Sequence, residues 1–346
     1  MKIAYIVPSL ANAGPIIVVR DLVEMMTLHG HDCTVFYFDE IEELEFSCKR
    51  KKINFYKSIN FSHFDIVHSH GLRPDMYVCI HKPINRSTLC ISTMHNLVFK
   101  DLSSQYNKLV SIVAGNLWMM FLYRHDKIAV LTHIAKDYYK KWISSKKIYV
   151  AHNTTTVVQK KKLLATKDIE ELLLFKENNI LLGVNASLVP IKGIDLIIKS
   201  MPFLNEMKLW IVGKGKSMQD LQHLAKKMNV SERVYFAGYR KDAYRYLQYY
   251  DIYVMPSKSE GFPLAMLEAA STCIPTVCSD IDVFKEIFST EEVAFFKQEN
   301  IPSLVEAIRF AAGNFEMAKR MHKKYLECYS PEKIYEHYIS IYNSIK

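Results

Sequence analysis

The sequence lacks several features that would place it in particular classes of protein. It has no run of about 18 apolar residues, which argues against a membrane-spanning helix. Its seven cysteines are an odd number and form no Cys-x-x-Cys pair, so reduced thiols are favoured over a disulfide framework or a zinc site. Met1 leads directly into the apolar segment Ile3–Pro8 without a charged and apolar leader. We therefore expect a cytoplasmic protein, which could also attach to the inner face of the membrane.

The composition provides for a large core. Hydrophobic residues make up 49% of the 346 residues, which excludes a chain that is disordered throughout. A chain of this length is suited to two domains of ordinary size.

The excess positive charge lies entirely in the first half of the chain. Residues 1–165 contain 22 Lys and Arg against 13 Asp and Glu, whereas residues 166–346 contain 23 of each. The resulting net charge of +9 makes an anionic acceptor or an anionic membrane surface the natural partner of residues 1–165. Ordinary solvated lysines are the alternative explanation. Nucleic acid is not expected as a partner, because the basic residues carry no recognisable binding motif.

Short apolar runs alternate with helical patterns along both halves. They predict strands at 3–8, 33–38, 66–70, 89–94, 127–131 and 148–150, then at 180–184, 209–212, 234–237, 252–255, 275–278 and 293–296. This alternation is typical of doubly wound parallel sheets, which bind ligands at the carboxyl ends of their strands. The sequence thus predicts an α/β protein with Rossmann-like domains over 1–165 and 166–328. A last helix over 329–346 begins with a Ser cap and a proline.

Two carboxylates follow a predicted buried strand within residues 251–275. The strand, Ile252–Met255, leads into a loop and then a helix that begins at Pro263, where the missing N–H of proline costs nothing. Glu260 lies in the loop and Glu268 on the second helical turn, and helical side chains lean toward the N-terminus. The free N–H groups of the first turn suit phosphate oxygens. The pattern predicts a nucleotide-sugar pocket, with two solvated carboxylates as the alternative.

This stretch resembles the Glu-x7-Glu signature of retaining glycosyltransferases of family 4, commonly Pro-Ser-x-x-Glu-Gly-Phe-Gly-Leu-x-x-Leu-Glu-Ala. The matching residues are Pro256, Ser257, Glu260, Gly261, Phe262, Leu264, Leu267, Glu268 and Ala269. The resemblance implies the GT-B architecture, in which two Rossmann-like domains face a central cleft. It also implies that Glu260 holds sugar hydroxyls and that Glu268 binds the ribose. The neighbouring residues implied to lie at the donor are Gly261, Phe262, Pro263 and Leu264.

A lysine of the second half also resembles the family. Leu188-Val-Pro-Ile-Lys-Gly193 matches Leu-x-x-x-Lys-Gly, and Lys192 would neutralise the donor diphosphate as a point charge. Relatives usually carry Gly-Arg where this chain has Ala186-Ser187, and the missing arginine removes a bidentate phosphate clamp. Either Ser187 donates one hydrogen bond and another cation helps, or donor binding is weaker or different.

Four weaker positions complete the implied donor-binding set. Gly213 belongs to a Gly-x-Gly that follows a predicted strand, and a tight turn explains it equally well. Gly238 and Tyr239 would lie near the base, or they only end a strand. Gly14 follows the first predicted strand, where relatives bring backbone close to the donor phosphates, and a plain turn fits as well.

Three histidines lie at predicted strand ends. His68 and His70 are two residues apart on one strand and so face the same side of the sheet. No third metal ligand is evident, so we expect no metal there and assign the pair to the acceptor side, shaping the floor of the cleft. His95 matches the family's Thr-x-His, whose histidine approaches the transferred sugar. A core histidine bonded to backbone is the alternative.

Two segments raise the question of membrane contact. Residues 105–124 form the most apolar helix candidate, which we expect to be buried, with a position in a membrane interface as the alternative because basic residues flank it. The basic cluster Lys49–Lys52 could dock on the same surface or be a solvated loop.

The resemblance, taken with these patterns, implies a metal-independent, retaining glycosyltransferase with Glu260, Lys192 and His95 as its catalytic residues. It would move a sugar from a nucleoside diphosphate sugar to a hydroxyl of a lipid-linked or saccharide acceptor, in cell-surface polysaccharide or glycolipid assembly. No cofactor beyond the donor substrate is implied. Two alternatives share the fold: a nucleotide-sugar 2-epimerase, and a donor-binding relative that has lost catalysis.

Overall fold

The computed structural model describes residues 1–84, 88–155 and 163–344, without the side chains of residues 104 and 105. The chain divides into two compact units, the first formed by Met1–Thr156 with Tyr329–Lys346 and the second by Val157–Cys328. The domain boundary predicted from the sequence, at residue 165, lies later in the chain. In the described ranges, no helix has the length and apolar character needed to cross a bilayer.

The first unit is built on a parallel sheet. Its strands are β1 (Lys2–Val7), β2 (Asp32–Tyr37), β3 (Lys49–Lys52), β4 (Ile66–His70), β5 (Leu89–Met94), β6 (Lys127–Val130) and β7 (Ile148–Val150). Its helices are α1 (Gly14–Leu28), α2 (Leu72–His81), α3 (Val98–Gln105), α4 (Lys108–Leu122), α5 (His133–Tyr139) and, from the chain end, α13 (Pro331–Asn343). The sheet order is β3-β2-β1-β4-β5-β6-β7. The order reverses between β1 and β4, which makes that edge the usual ligand position of a doubly wound sheet.

The second unit repeats this plan. Its strands are β8 (Ile180–Asn185), β9 (Met207–Val212), β10 (Val234–Gly238), β11 (Ile252–Met255), β12 (Thr276–Ser279) and β13 (Ala294–Phe296). Its helices are α6 (Thr166–Lys176), α7 (Ile194–Ser200), α8 (Met218–Lys227), α9 (Leu264–Ser271), α10 (Asp282–Ile287), α11 (Ile301–Ala311) and α12 (Phe315–Cys328). The sheet order is β10-β9-β8-β11-β12-β13, with every pair parallel.

The predicted fold class is confirmed for both units. Each strand predicted from an apolar run is present within two residues of its predicted bounds, because strands buried on both faces require continuous apolar sequence. Both sheets have the order of a doubly wound fold. In the first unit, α13 packs against the core around β1 through Ile334, Tyr338 and Tyr342.

The basic cluster Lys49–Lys52 is a strand, so of its two alternatives, docking on a surface or a solvated loop, the loop is wrong. It pairs in parallel with β2 at the edge of the first sheet, and all four side chains are exposed. Its sequence gives no apolar signal, since both of its faces meet water. Lys52 pairs with Glu40, and Arg50 lies 3.5 Å from Glu42, so part of the cluster's charge is already compensated.

The apolar segment 105–124 is only half-buried, so the expectation of a buried helix was wrong. It contains the whole of α4, which buries Ser111, Gly115 and Leu122 and exposes large apolar residues on its other side. Periodicity could not reveal this, because the helix is apolar around its whole circumference and the sequence does not say which side meets protein.

Buried polar groups tie α4 to the sheet of the first unit. The Ser69 hydroxyl on β4 donates to Asp75 Oδ1 at 2.7 Å and lies 3.0 Å from His125 Nε2. Trp118 Nε1 on α4 donates to Asp75 Oδ2 at 2.7 Å. Burial raises the pKa of Asp75 to about 6 despite these hydrogen bonds, and burial lowers the pKa of His125 to about 3. Desolvation therefore dominates this network.

Three buried histidines make the stability of the first unit depend on pH. Burial lowers the pKa of His68 and of His125 to about 3 and holds that of His70 well below its usual value. The unfolded chain takes up protons at these side chains below about pH 6.5, whereas the folded chain does not. Their contribution is therefore present above pH 6.5 and is lost as the pH falls. Asp75, with its raised pKa, opposes this change with one proton between about pH 6 and 4.

We expect acidification from pH 7 to 5 to lower the free energy of unfolding by about 1.4 kcal/mol per pH unit for each buried histidine, less the opposing effect of Asp75. Chemical denaturation at several pH values measures this slope. His68→Gln should reduce this slope by about 1.4 kcal/mol per pH unit, which corresponds to one proton. His223→Gln, at an exposed position on α8, should leave the slope unchanged. A flat profile between pH 7 and 5 would show that these histidines are charged in the folded protein.

Candidate active site

The loops that follow β8 and β11 lie at the point where the strand order of the second sheet reverses. These strands are neighbours, with Leu182 opposite Ile252, but the strands that follow them in sequence lie on opposite sides. Their carboxyl-end loops, residues 186–193 and 256–263, therefore diverge and leave room for a ligand.

Backbone hydrogen bonds fix the loop after β8 on both sides. Leu188 N–H donates to the Lys214 carbonyl at 3.0 Å in the loop that follows β9. On the other side, Lys258 N–H donates to the Ile191 carbonyl at 2.8 Å. The loop after β8 is thereby joined to the loops after β9 and β11, and side chains from all three are held in fixed relation.

Two glycines permit this close packing. A Cβ atom at Gly213 would lie 1.9 Å from the Ala186 carbonyl oxygen, far inside van der Waals contact. Gly193 has a φ of 64°, and its Cβ would lie 2.2 Å from the Pro256 carbonyl oxygen. The sequence interpretation left Gly213 open between a phosphate contact and a tight turn. The structure adds a third reason for glycine at position 213: the loop after β8 packs so closely against it that a Cβ atom would not fit.

Lys192 and Glu260 are in direct contact. Lys192 Nζ lies 2.6 Å from Glu260 Oε1, and the two side chains are 27% and 12% exposed. The Ser257 hydroxyl donates to the same oxygen at 2.6 Å, and the Ser279 hydroxyl donates to the Ser257 carbonyl at 2.5 Å. The carboxylate that the sequence assigns to sugar hydroxyls is thus oriented by a lysine from one loop and a serine from its own.

The second carboxylate, Glu268, lies on α9, the helix that follows the loop after β11. The buried Tyr253 on β11 has its pKa raised chiefly by burial and further by the negative charges of Glu268 and Glu260. The Tyr253 hydroxyl donates to the Asn185 carbonyl at 3.3 Å, so it links the ends of β8 and β11. Both carboxylates therefore lie close enough to one buried phenol to affect its ionisation.

The helix that carries Glu268 begins one residue later than predicted. Pro263 lies just before α9 with an extended ψ of 101°, and no side-chain hydrogen bond caps the helix at this residue. Phe262 and Pro263 are buried, whereas Gly261 and Leu264 are half-buried. The first N–H groups of α9 have no carbonyl partner within the helix, which is the arrangement that anions use.

The remaining donor-binding predictions in the second unit lie at the ends of β8 and β10. Ser187 is exposed, and Gly238 accepts a hydrogen bond from Gly213 N–H at 2.9 Å. Tyr239 is 47% exposed, and the Lys214 ammonium lies 4.6 Å from the centre of its ring. These positions are brought to the same sheet edge as Lys192, but no hydrogen bond joins them to it among the described contacts.

In the first unit, His70 and His95 are brought together. His70 Nδ1 lies 3.0 Å from His95 Nε2, and burial lowers the pKa of His95 to about 4. Both residues line a cavity of about 240 Å³ at the switch point of the first sheet, together with Ser9, Thr93 and Trp118. Within the described part of the chain, the buried His70 Nε2 has no hydrogen-bond partner.

His68 is not part of this cavity, which corrects its assignment to the floor of a cleft. Its Nδ1 lies 2.9 Å from the Tyr342 hydroxyl and its Nε2 lies 2.7 Å from Thr93 Oγ1. Alternation along β4 correctly placed His68 and His70 on one face, but it could not reveal that α13 covers only the first of them. Gly14 is exposed at the start of α1, and a Cβ there would meet nothing within 4 Å.

Sequence reasoning missed several groups that shape these sites. Ser257 was noted only as a motif match, and its hydrogen bond to Glu260 depends on the fold of the loop. Tyr253 reads in the sequence as an ordinary strand residue. The polar groups Ser69, Asp75 and Thr93 carry no local signal, because each has a partner far away in the chain, at His125, Trp118 and His68 respectively.

Solved structures of glycosyltransferases with the GT-B fold match this architecture. The crystal structure of HepE from Anabaena, in complex with UDP, aligns over 100% of both chains with a TM-score of 0.82 at 14% sequence identity. The fold of this chain is therefore GT-B.

Sequence comparison then identifies the family. The profile described as "Glycosyl transferases group 1" matches residues 165–326. The O-antigen biosynthesis glycosyltransferase WclY of Escherichia coli is 31% identical over 354 positions, which cover 100% of this chain and 99% of that protein. A second relative is the UDP-Gal:alpha-D-GlcNAc-diphosphoundecaprenol alpha-1,3-galactosyltransferase of Escherichia coli. It is 26% identical, and the alignment covers 74% of this chain and 68% of that protein. The chain belongs to the glycosyl transferases group 1 family and is a glycosyltransferase.

The close approach at Gly213 provides a test of how the site is held together. Gly213→Ala would force the loop after β8 to move, because the new methyl group would meet a backbone carbonyl. We expect a loss of about 1–3 kcal/mol in the free energy of unfolding and weaker nucleotide binding. Chemical denaturation and calorimetric titration with UDP and GDP measure the two effects.

The stability control for this variant is Gly14→Ala, where a Cβ meets nothing and no loss of stability is expected. Unchanged stability and unchanged nucleotide binding in Gly213→Ala would mean that the loop after β8 is not fixed as described.

Proposed function

We propose that the protein is a retaining glycosyltransferase of family 4 type that moves a sugar from a nucleoside diphosphate sugar to a hydroxyl of a lipid-linked or saccharide acceptor. The observation that carries this proposal is the contact of Lys192 with Glu260 at the switch point of the second sheet. A lysine, a carboxylate and a helix N-terminus at one sheet edge suit a diphosphate beside a sugar.

Lys192 can serve Glu260 and the donor at the same time. An ammonium group has three N–H donors, of which the contact with Glu260 uses one. The other two are available for diphosphate oxygens, while Glu260 keeps acceptor sites for sugar hydroxyls. The pair thus holds both ends of the bond that breaks, the sugar through Glu260 and the leaving group through Lys192.

This chain has Ser187 where relatives usually carry an arginine, so another residue must supply the positive charge of that arginine at the diphosphate. Lys214 belongs to the neighbouring loop, whose backbone is hydrogen-bonded to Leu188, and its ammonium lies over Tyr239. We assign the second positive charge at the diphosphate to Lys214, with Ser187 donating a hydrogen bond. A lysine acts as a point charge, so the bidentate geometry of arginine is not reproduced.

The reaction follows from charge development. As the bond between the anomeric carbon and the diphosphate oxygen breaks, positive charge grows on the sugar and negative charge on the leaving group. Lys192 and the N–H groups of α9 stabilise the latter. The acceptor oxygen forms the new bond on the same face, and its proton passes to the leaving phosphate oxygen. These groups supply the positive charge that the step needs, so we propose that no metal ion takes part.

The first unit would bind the acceptor. The neutral imidazoles of His70 and His95 can donate and accept hydrogen bonds to hydroxyl groups in the cavity that they line. The named activity of the Escherichia coli galactosyltransferase uses a diphosphoundecaprenol-linked acceptor, and WclY is named for O-antigen biosynthesis. A related acceptor would be anionic, in keeping with the positive charge of residues 1–165. We propose the same broad role, assembly of a cell-surface polysaccharide, for this chain.

Removal of the charge at Glu268 tests its role at the ribose. Glu268→Gln should weaken binding of UDP or GDP by about 10- to 100-fold, as expected for the loss of hydrogen bonds to a charged group. Isothermal titration with both nucleotides measures this. Glu306→Gln, at an exposed carboxylate on α11, is the matched control and should bind as the wild type does. Equal affinity in Glu268→Gln would contradict the assignment.

The stereochemical outcome separates the proposal from its alternatives. With a set of UDP- and GDP-sugars, an N-acetylglucosamine diphosphate lipid as acceptor and EDTA in the buffer, we expect a product whose new linkage keeps the anomeric configuration of the donor. Proton NMR of the product gives that configuration. An inverted product, or activity that is lost with EDTA and restored by a divalent cation, would overturn the mechanism. Change of the donor sugar without any acceptor would indicate the epimerase.

A further inference from the structure

The exposed side of α4 is largely apolar, and the exposed Asn116 is the polar residue within it. Leu109 is 73% exposed, Val113 52%, Met120 58% and Tyr123, just after the helix, 83%. The other large apolar residues on this side are Val110, Ile112 and Leu117. At 100° per residue they occupy roughly 160° of the helix circumference. We call these seven residues the α4 face. Contiguous exposed apolar patches on this scale mark interaction sites.

The α4 face is uncharged and too short to cross a bilayer. No Asp, Glu, Lys or Arg occurs from Leu109 to Tyr123. This segment is about 22 Å long as a helix, compared with about 30 Å for the hydrocarbon core of a bilayer. A surface of this kind can lie along an interface, with its apolar side chains inserted to a shallow depth.

The opposite side of α4 is fixed to the first unit, so the apolar side is held outward. Trp118 Nε1 donates to the buried Asp75 at 2.7 Å, and Met119 and Leu122 are buried in the core. Asn107 caps the helix by accepting a hydrogen bond from Val110 N–H at 2.9 Å. Rotation of α4 to hide the apolar side would break the buried hydrogen bond to Asp75.

Positive charges stand at both ends of the α4 face. Lys108 precedes it, and Arg124 follows it and is fixed by a hydrogen bond to the Cys79 carbonyl at 2.7 Å. The ammonium of Lys147 lies 5.3 Å from the centre of the Tyr123 ring. Residues 98–150 contain nine Lys and Arg against three Asp and no Glu. Charge in this part of the sequence is therefore predominantly positive.

We propose that the α4 face is a docking surface for an anionic lipid bilayer. Its apolar side chains enter the boundary between headgroups and acyl chains, and the flanking basic residues contact acidic headgroups. This inference deepens the proposed function, because it rests on a lipid-linked acceptor and gives the enzyme a position at the surface that contains it. Of the two alternatives that the sequence left for residues 105–124, burial or a position in a membrane interface, this proposal adopts the second.

A second copy of the chain does not fit this surface as well. Stacking two α4 faces in either direction brings basic ends together, since Lys108 lies at one end and Arg124 at the other. Like charges in that arrangement repel, and no acidic residue within the face offsets them. Charge complementarity thus favours acidic lipid.

The test is vesicle flotation with the full chain and a variant of the face. Leu109→Gln, Val113→Gln and Met120→Gln are combined, because these positions lie near the middle of the exposed arc and glutamine is compatible with a helix. The matched control combines Leu174→Gln, Phe310→Gln and Leu326→Gln, which are 79%, 59% and 50% exposed on helices of the second unit. Vesicles contain either phosphatidylglycerol with phosphatidylcholine or phosphatidylcholine alone.

We expect the wild type and the control to float with the phosphatidylglycerol vesicles, at least tenfold more than with phosphatidylcholine alone. The face variant should bind the phosphatidylglycerol vesicles at least tenfold less than the wild type does. Added salt should weaken wild-type binding without abolishing it, because the apolar part is not screened. Binding of UDP and GDP should be equal in all three proteins, which shows that the variants are folded and keeps this test separate from failure of the proposed function.

Binding of the face variant equal to that of the wild type would overturn the proposal. So would equal binding to both vesicle compositions. Sedimentation velocity without lipid provides the last arm. A wild-type dimer that the face variant converts to a monomer would assign the α4 face to a second copy and would also overturn it.

Discussion

The contact of Lys192 with Glu260 is the interaction on which the rest of the candidate site depends. It joins two loops that leave neighbouring strands in different directions, and it brings opposite charges to one sheet edge. An ion pair of partly exposed side chains contributes little to stability by itself. Its value is positional, because Ser257 and the backbone of residues 186–193 hold both partners within a hydrogen bond of each other. The glycines at 193 and 213 are needed for the same reason, since they let the loops approach closely.

Much of the fold could be read from the sequence, and the reason is burial. Strands such as Ile252–Met255 are covered on both faces, so they must be apolar throughout and stand out against polar loops. The edge strand Lys49–Lys52 carried no such signal, because its backbone pairs while its side chains all meet water. The exposed side of α4 was missed for a related reason: apolar character was visible, but not which side the protein covers.

Individual residues of the candidate site could be predicted from the sequence, but the contacts between them could not. Glu260 and Lys192 were found from short motifs, yet their mutual hydrogen bond spans 68 positions and arises only when β8 and β11 become neighbours. The histidines show the same limit. His68 and His70 share a face of one strand, but a helix from the chain end covers the first, while the second faces a cavity. Which side chain remains open to a ligand is decided by distant sequence.

The basic edge strand β3 has a consequence for how copies of this protein meet. The outer edge of a sheet presents unpaired N–H and carbonyl groups that can recruit a strand from another molecule. Here the edge strand has four consecutive cationic side chains, of which Lys52 and Arg50 lie against Glu40 and Glu42. A second copy arriving with the same strand would still bring the charges of Lys49 and Lys51 close to their own copies. Sheet extension from one molecule to the next is thereby discouraged.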